Sequence, residues 1–155
     1  MLRERAPRDG RSGIRKAAER RREDAQKLLE QERWTGSIYL HGYWVECTMK
    51  FRLMDHFNVL NLDALDAVLS ARSGRLVITR THSIAYLSTF HEGLRALREG
   101  HADRLDVQSA ALVRAHNHVS RWSTELRYSP ELGHRPEAER FAEDARSIVT
   151  FILNN

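Results

Sequence analysis

The most constraining feature of this sequence is the run from Trp34 to about Met54, which is apolar almost all the way round a helix. A helix that is apolar on every side has to be surrounded by other elements, so we predict that this segment is the most buried helix of the chain. Its only clearly polar edge includes His41, Thr48 and Arg52. The remaining helices are therefore expected to pack around it.

Two opposite charges lie inside this apolar helix. Glu46 and Lys50 are four residues apart and share one helix face with Tyr39, Tyr43 and Leu53. Glutamate before lysine is the favourable order for a helical ion pair, and leaving either charge alone in a buried place would cost several kcal/mol. Two interpretations follow. The pair is a salt bridge at a helix seam, or it orients groups around a functional cleft.

The rest of the chain has helical periodicity and no paired strands. Proline, glycine and capping residues divide it into further predicted helices at about 14–33, 61–72, 83–98, 103–127 and 136–153. Trp122 and Leu126 continue the apolar stripe of the fourth of these to its end. The β-leaning stretch 75–79 has no partner strand and is predicted to be an extended connector. The fold class is all-α, an antiparallel bundle of five or six helices.

Length and composition fit one domain. A chain of 155 residues with 41% hydrophobic and 30% charged residues suits a single compact bundle. We predict a flexible basic leader at 1–13 and one bundle at 14–155. No apolar stretch approaches a membrane span and the N-terminus is too charged for a signal peptide, so no membrane association is expected. The single Cys47 cannot form an internal disulfide, which favours a reduced, cytoplasmic setting.

The net charge of +4 is concentrated at the N-terminus. Residues 1–33 hold 11 Lys and Arg against 7 Asp and Glu, whereas residues 34–155 hold 14 of each. A basic N-terminal arm of this kind could neutralise nucleic-acid phosphates. A solvated helix face with interleaved acidic residues has the same composition, and both interpretations stay open.

Three stretches resemble motifs of one known family, the prokaryotic HEPN domains. "YLHGYWVECTMKF" (39–51) resembles the family's glycine-aromatic-x-x-Glu-x-x-x-Lys helix. "THSIAYL" (81–87) resembles its His-x-Leu helix start, with Ile84 in place of leucine, and "WSTELRYSP" (122–130) resembles its Trp-x-x-Glu-x-Arg-Tyr segment. Their order and spacing agree with the family from about Ala18 to Ile152.

The resemblance implies a four- to five-helix bundle that commonly forms a homodimer. Many HEPN relatives are metal-independent endoribonucleases that act as toxins or defence effectors. Others are non-catalytic, bind nucleotides or RNA, and pair with a nucleotidyltransferase or an antitoxin. We expect the second kind of function here, with the endoribonuclease as the alternative, because the family's catalytic motif is irregular in this chain.

That motif is an arginine and a histidine separated by four to six residues, which meet their counterparts across a dimer interface. Histidine can act as acid or base toward the RNA 2′-hydroxyl, and arginine can stabilise the charge on phosphorus. Arg127 and His134 have the right interval, but Pro130 lies between them and prevents regular helical positions. The second choice is Arg114 and His118, which share a helix face but have only three residues between them.

The same resemblance suggests the residues of a binding cleft. They are Tyr43, Glu46, Lys50, His82, Arg127 and Tyr128. His82 is predicted to be a structural group at or near a helix N-cap, paired with Glu46 or Glu125.

No metal or cofactor site is predicted. His116 and His118 project about 200° apart on a helix and cannot bind one ion together. The sequence also has no cysteine pair, glycine-rich phosphate loop or serine-nucleophile motif.

Overall fold

The computed structural model describes residues 10–74, 82–100, 106–128 and 133–155, and every regular element within these ranges is helical. The elements are α1 (Arg11–Glu30), α2 (Trp34–His56), α3 (Leu62–Ser73), α4 (Ile84–Ser88), α5 (Glu92–Glu99), α6 (Val107–Val119), a 3₁₀ turn (Thr124–Tyr128) and α7 (Arg135–Asn154). The all-α prediction is confirmed. The stretch 75–79, predicted to be an extended connector, lies outside the described residues.

Helix α2 is the centre of the packing. It buries twelve residues, more than any other described helix, and packs against α1 on one side and α7 on another. The prediction that this is the most buried helix is confirmed. The prediction of its polar edge is wrong in part, because His41 and Thr48 are 2% and 4% exposed. Thr48 satisfies its hydroxyl by donating to the Trp44 carbonyl oxygen at 2.8 Å, which lets it enter the core.

Helices α1 and α7 both pack against α2, and α7 buries more residues than α1. Helix α1 begins at Arg11, slightly before the predicted boundary at residue 14, and residues 1–9 of the predicted leader lie outside the described residues. Helix α7 begins at Arg135, one residue before the predicted start at 136, and carries Pro136 in its first turn. Its inward face contains Phe141, Ala145, Ile148 and Ile152, all buried.

The predicted helix at 83–98 is wrong, because the structure has two short helices there. Helix α4 ends at Ser88 with a tighter turn, in which the His91 amide donates to the Ser88 carbonyl oxygen. His91 then acts as the N-cap of α5 and accepts a hydrogen bond from the Leu94 amide at 3.3 Å. Histidine is not a strong N-cap signal, which is why the pattern reads as continuous.

The predicted helix at 103–127 is also wrong at both ends. Asp106 is the N-cap and accepts from the Ser109 amide at 2.7 Å, so α6 begins at Val107. Helix α6 ends at Val119, and Trp122 and Leu126 reach the core from the following loop and 3₁₀ turn. The apolar spacing therefore persists after the helix has ended.

Helix α3 agrees with its predicted bounds within one residue. Asn61 caps it by accepting from the Ala64 amide at 2.8 Å, and Gly74 ends it at a left-handed φ of 64°. Among the described residues, no helix has the length and apolar character needed to cross a bilayer.

Candidate functional site

A buried ion pair and a histidine join α2 to the segment that precedes α4. Lys50 Nζ donates to Glu46 Oε1 at 2.7 Å, and the two side chains are only 5% and 3% exposed. His82 Nδ1 lies 3.1 Å from both carboxylate oxygens of Glu46. The predicted helical ion pair and the predicted pairing of His82 with Glu46 are confirmed. Ser83 is the N-cap of α4, one residue beyond His82.

Aromatic rings cluster beside His82, next to this ion pair. The Tyr43 ring lies 5.0 Å from the Trp122 ring and 6.0 Å from the His82 ring, with edge-to-face geometry in both cases. Burial, and after it the neighbouring Tyr39 hydroxyl, raises the pKa of Tyr43. Four of the predicted cleft residues are thus together, but Glu46 and Lys50 are too buried to meet a ligand. Their burial favours the interpretation of a salt bridge at a helix seam.

Arg127 and Tyr128 lie in the 3₁₀ turn and face solvent. The Arg127 guanidinium stacks over the Tyr128 ring at 4.6 Å, and Tyr128 is 68% exposed. His134 occupies the N-cap position of α7 without a capping hydrogen bond from its side chain, which is 77% exposed and whose Nδ1 lies 3.1 Å from Glu137 Oε2. Arg127 and His134 therefore have different partners, and the described residues show no contact between their side chains.

Arg114 and His118, the second-choice pair, both lie on α6. His118 Nδ1 lies 2.6 Å from Asp144 Oδ2, a short contact that joins α6 to α7. Because a carboxylate accepts, Nδ1 carries the proton and donates, and Nε2 is left for another partner. The Phe141 ring packs edge to face against the imidazole at 5.4 Å and restricts its orientation. Arg114 lies one turn before His118 on the same helix face.

These residues open onto a cleft of about 580 Å³ between α6 and the start of α7, which we call the α6–α7 cleft. Its lining residues are Arg114, Asn117, His118, Arg121, His134, Pro136, Glu137 and Arg140. His134 thus lines the same cleft as Arg114 and His118, and Arg127 is not among the described lining residues. Three arginines and two histidines against one glutamate make the lining strongly basic.

Asp144 is the functional candidate that sequence reasoning missed. It is 26 residues from His118 and lies on another helix, so only the packing of α6 against α7 brings the two together. The one signal in the sequence is its position on α7 one turn after Arg140, to which it also lies close at 4.0 Å. A surface i, i+4 pair of this kind is too common to identify a site.

Among the described residues, no group of three or more His, Cys, Asp or Glu side chains is arranged to hold a metal ion. Comparisons of the chain with protein-family models, with curated proteins and with solved structures found no match.

Proposed function

We propose that this chain is a HEPN-type helical domain that binds RNA through phosphates held in the α6–α7 cleft, as a non-catalytic module of a toxin–antitoxin, nucleotidyltransferase-associated or defence system. The observation that supports RNA binding most directly is the lining of this cleft. Arg114, Arg121 and Arg140 share one opening with His118 and His134, and Glu137 is the one acidic residue among the described lining residues.

The chemistry of arginine suits this role. A guanidinium offers several N–H donors in a planar arrangement that matches the oxygens of a phosphate, and its charge displaces the counterions that surround a nucleic acid. Arg140 is only loosely held by Asp144 at 4.0 Å and its side chain is 72% exposed, so it is free to reorient toward a ligand. The cleft therefore offers charges that are accessible rather than already neutralised.

The test is fluorescence anisotropy with a short labelled single-stranded RNA at several salt concentrations. We expect Arg114→Gln and Arg121→Gln each to weaken binding and to reduce the salt slope by about 0.7 per lost phosphate contact. Arg146→Gln is the matched control, because Arg146 is exposed on α7 but does not line this cleft. Equal losses in all three variants would contradict the assignment of RNA to this cleft.

A second candidate function is metal-independent cleavage of RNA, and the 2.6 Å contact between His118 and Asp144 favours it. In this reaction His118 Nε2 accepts the proton of the 2′-hydroxyl, and the 2′-oxygen bonds to phosphorus as the bond to the 5′-oxygen breaks. His134 supplies a proton to that 5′-oxygen, and Arg114 offsets the charge on phosphorus. The products are a 2′,3′-cyclic phosphate and a 5′-hydroxyl.

The two functions are separated by incubating mixed RNA with the purified protein in EDTA. Cleavage that is lost in His118→Gln and retained in His56→Gln, an exposed histidine at the end of α2, would establish the enzyme. Cleavage lost in Arg127→Gln but retained in Arg114→Gln would instead assign the chemistry to Arg127 and His134. Binding without cleavage would support the non-catalytic module.

The resemblance to HEPN domains also supports a homodimer and a nucleotidyltransferase or antitoxin partner. Light scattering on the purified chain tests for the homodimer. A dimer mass of about twice the 18.0 kDa monomer is expected, and a monomer at high protein concentration would contradict it.

A further inference from the structure

A second cavity, separate from the α6–α7 cleft, lies between α1, α2 and α7. It has a volume of about 650 Å³, within the usual range for small-molecule sites. We call it the α1–α7 groove, and its main lining residues are Arg22, Lys27, His41, Trp44, Arg146 and Leu153. It shares Trp44 and Leu153 with an adjoining cavity of about 310 Å³, so its apolar floor continues beyond it.

The polar group at the base of the groove is His41, whose side chain is part of the core. The residue is 2% exposed, and its Nδ1 lies 2.9 Å from the Ser37 carbonyl oxygen. A carbonyl oxygen can only accept, so Nδ1 carries the proton and Nε2 is the acceptor edge of the neutral ring. Nε2 has no hydrogen-bond partner among the described residues, and since Nδ1 faces the backbone of α2, Nε2 is the polar edge that can meet the cavity.

His41 is held in this neutral form. Burial, and to a smaller extent the charge of Arg146, lowers the pKa of His41, and only the bond to Ser37 acts against them. Because Nε2 faces the cavity instead of packed side chains, a donor that enters the groove can bond to it. The groove therefore suits a ligand that supplies an N–H or O–H at this point.

The walls define the rest of the ligand. Trp44 is 9% exposed and lies beside His41, with ring centroids 6.1 Å apart, which gives the base an aromatic surface. Arg22 and Lys27 on α1 and Arg146 on α7 line the opening. Two glutamates, Glu23 and Glu30, line it as well, which leaves an excess of one positive charge. This combination suits a flat ligand that carries one negative group.

We propose that the α1–α7 groove binds a small aromatic acid, with its ring system against Trp44, a ring N–H donated to His41 Nε2 and its anionic group held by Arg146. This site is independent of the proposed function at the α6–α7 cleft, and the failure of either leaves the other standing.

Indole-3-acetate is a suitable probe, because it combines a flat ring, one N–H and one carboxylate. We expect it to bind with a dissociation constant of about 1 mM or tighter, given its size. In ¹H–¹⁵N NMR spectra its addition should shift the side-chain signal of Trp44 and the amides around His41, while the α6–α7 cleft stays unchanged. Absence of binding at 10 mM probe, on the order of ten times that constant, would overturn the proposal.

Two analogues test the recognised groups separately. 1-Methylindole-3-acetate lacks the N–H and indole-3-acetamide lacks the charge, and each should bind about tenfold more weakly. Equal binding of all three compounds would show that the groove recognises only the apolar ring, which contradicts the roles of His41 and Arg146.

Variants complete the test. Arg146→Gln, at an exposed position that should not affect folding, is expected to weaken binding about tenfold and to abolish the preference for the acid over the amide. His41→Phe should abolish the preference for the N–H over the N-methyl compound, and if this variant does not fold, the analogue series with Arg146→Gln decides. Arg140→Gln is the matched control on the same helix. Binding that is lost in Arg140→Gln and retained in Arg146→Gln would place the ligand in the α6–α7 cleft and overturn the proposal.

Discussion

At the scale of single residues, the ion pair of Glu46 and Lys50 shows how a charged pair is tolerated in the core. Each group is almost fully buried, and the carboxylate has two partners, Lys50 and His82. In such an environment the attraction between the charges offsets the free-energy cost of removing both from water. If one partner is lost, the other remains buried as an uncompensated charge.

We therefore expect Lys50→Met to lower the free energy of unfolding by about 3 to 5 kcal/mol, because it leaves the Glu46 carboxylate without its ammonium. The double variant Glu46→Met with Lys50→Met should recover most of this loss, since it removes both charges. Urea denaturation measures both. The exposed pair of Arg15 and Glu19 on α1 is the control, and Arg15→Met should have little effect. A double variant as unstable as Lys50→Met would contradict this account.

A second residue-scale prediction concerns His116, which is 4% exposed. Burial, and after it the charge of Arg98, lowers the pKa of His116 to about 4, whereas the unfolded chain takes up this proton near the ordinary histidine pKa of about 6.5. Between these values the unfolded state binds more protons, so stability falls as the pH decreases. The loss due to His116 is about 3 kcal/mol over this window.

Urea denaturation at several pH values between 7.5 and 4.5 tests this prediction. Burial also lowers the pKa values of His41 and His91, so the wild type should show a pH dependence of the same sign from three histidines. His116→Gln cannot titrate and should have a visibly shallower dependence. Equal pH slopes for the wild type and this variant would refute the role of His116.

At the scale of elements, the contact of α2 with the loop after α6 depends on a missing side chain. The Trp122 ring lies directly against Gly42, where a Cβ atom would overlap its Nε1 and Cδ1 atoms. Trp122 is 5% exposed and cannot move aside into solvent without emptying part of the core. Gly42 therefore fixes how closely the loop approaches the central helix.

Gly42→Ala should destabilise the protein by about 3 kcal/mol, because the added methyl group overfills this contact. Gly36→Ala is the matched control on the same helix, since its Cβ would meet only a terminal methyl of Leu28 at 3.1 Å. There the gain in helix propensity, up to about 1 kcal/mol, opposes a mild contact, and a near-neutral change is expected. Thermal denaturation by circular dichroism compares them, and similar losses in both would contradict the contact.

The elements also show how far the sequence alone could predict this structure. Helices α2, α3 and α7 follow from strong apolar patterns, and Pro136 marks the start of α7. The breaks at His91 and after Val119 do not, because a histidine cap is uncommon and the apolar spacing continues through the break. The Glu46–Lys50 pair is local and predictable.

The contact between His118 and Asp144 lies outside the reach of local patterns, because it depends on how two helices pack. The acceptor edge of His41 is hidden for a related reason. The position of His41 on α2 predicts an exposed polar side chain. In the structure the bond to Ser37 orients its ring, and α1 and α7 pack around α2 to form the cavity that it lines.

At the scale of the whole molecule, α1 packs along α2 but buries fewer residues than α2 or α7. It buries three residues, two of them alanines, and its packing is almost entirely against α2. The α1–α7 groove keeps it apart from α7 along part of its length. The contacts that hold α1 include the bond from the Ser37 hydroxyl to the Ala25 carbonyl oxygen at 3.0 Å and the ion pair of Arg11 with Asp55.

Native-state hydrogen exchange should therefore find that the amides of α1 exchange faster than those in the middle of α2 and α7. Local opening requires less free energy where few apolar groups are buried. Arg11→Gln should increase exchange in the first turns of α1 without changing that of α7. Equal protection of α1 and α7 would show that α1 opens only with the whole fold.

The packing of Trp122 on Gly42 has a consequence for evolution as well. A chain that keeps this arrangement can enlarge the residue at 42 only if the ring at 122 becomes smaller, because both occupy the same space. The two positions should therefore covary among homologues. Glycine at 42 with a large aromatic at 122, or a small side chain at 42 with an aliphatic at 122, would be the two compatible combinations.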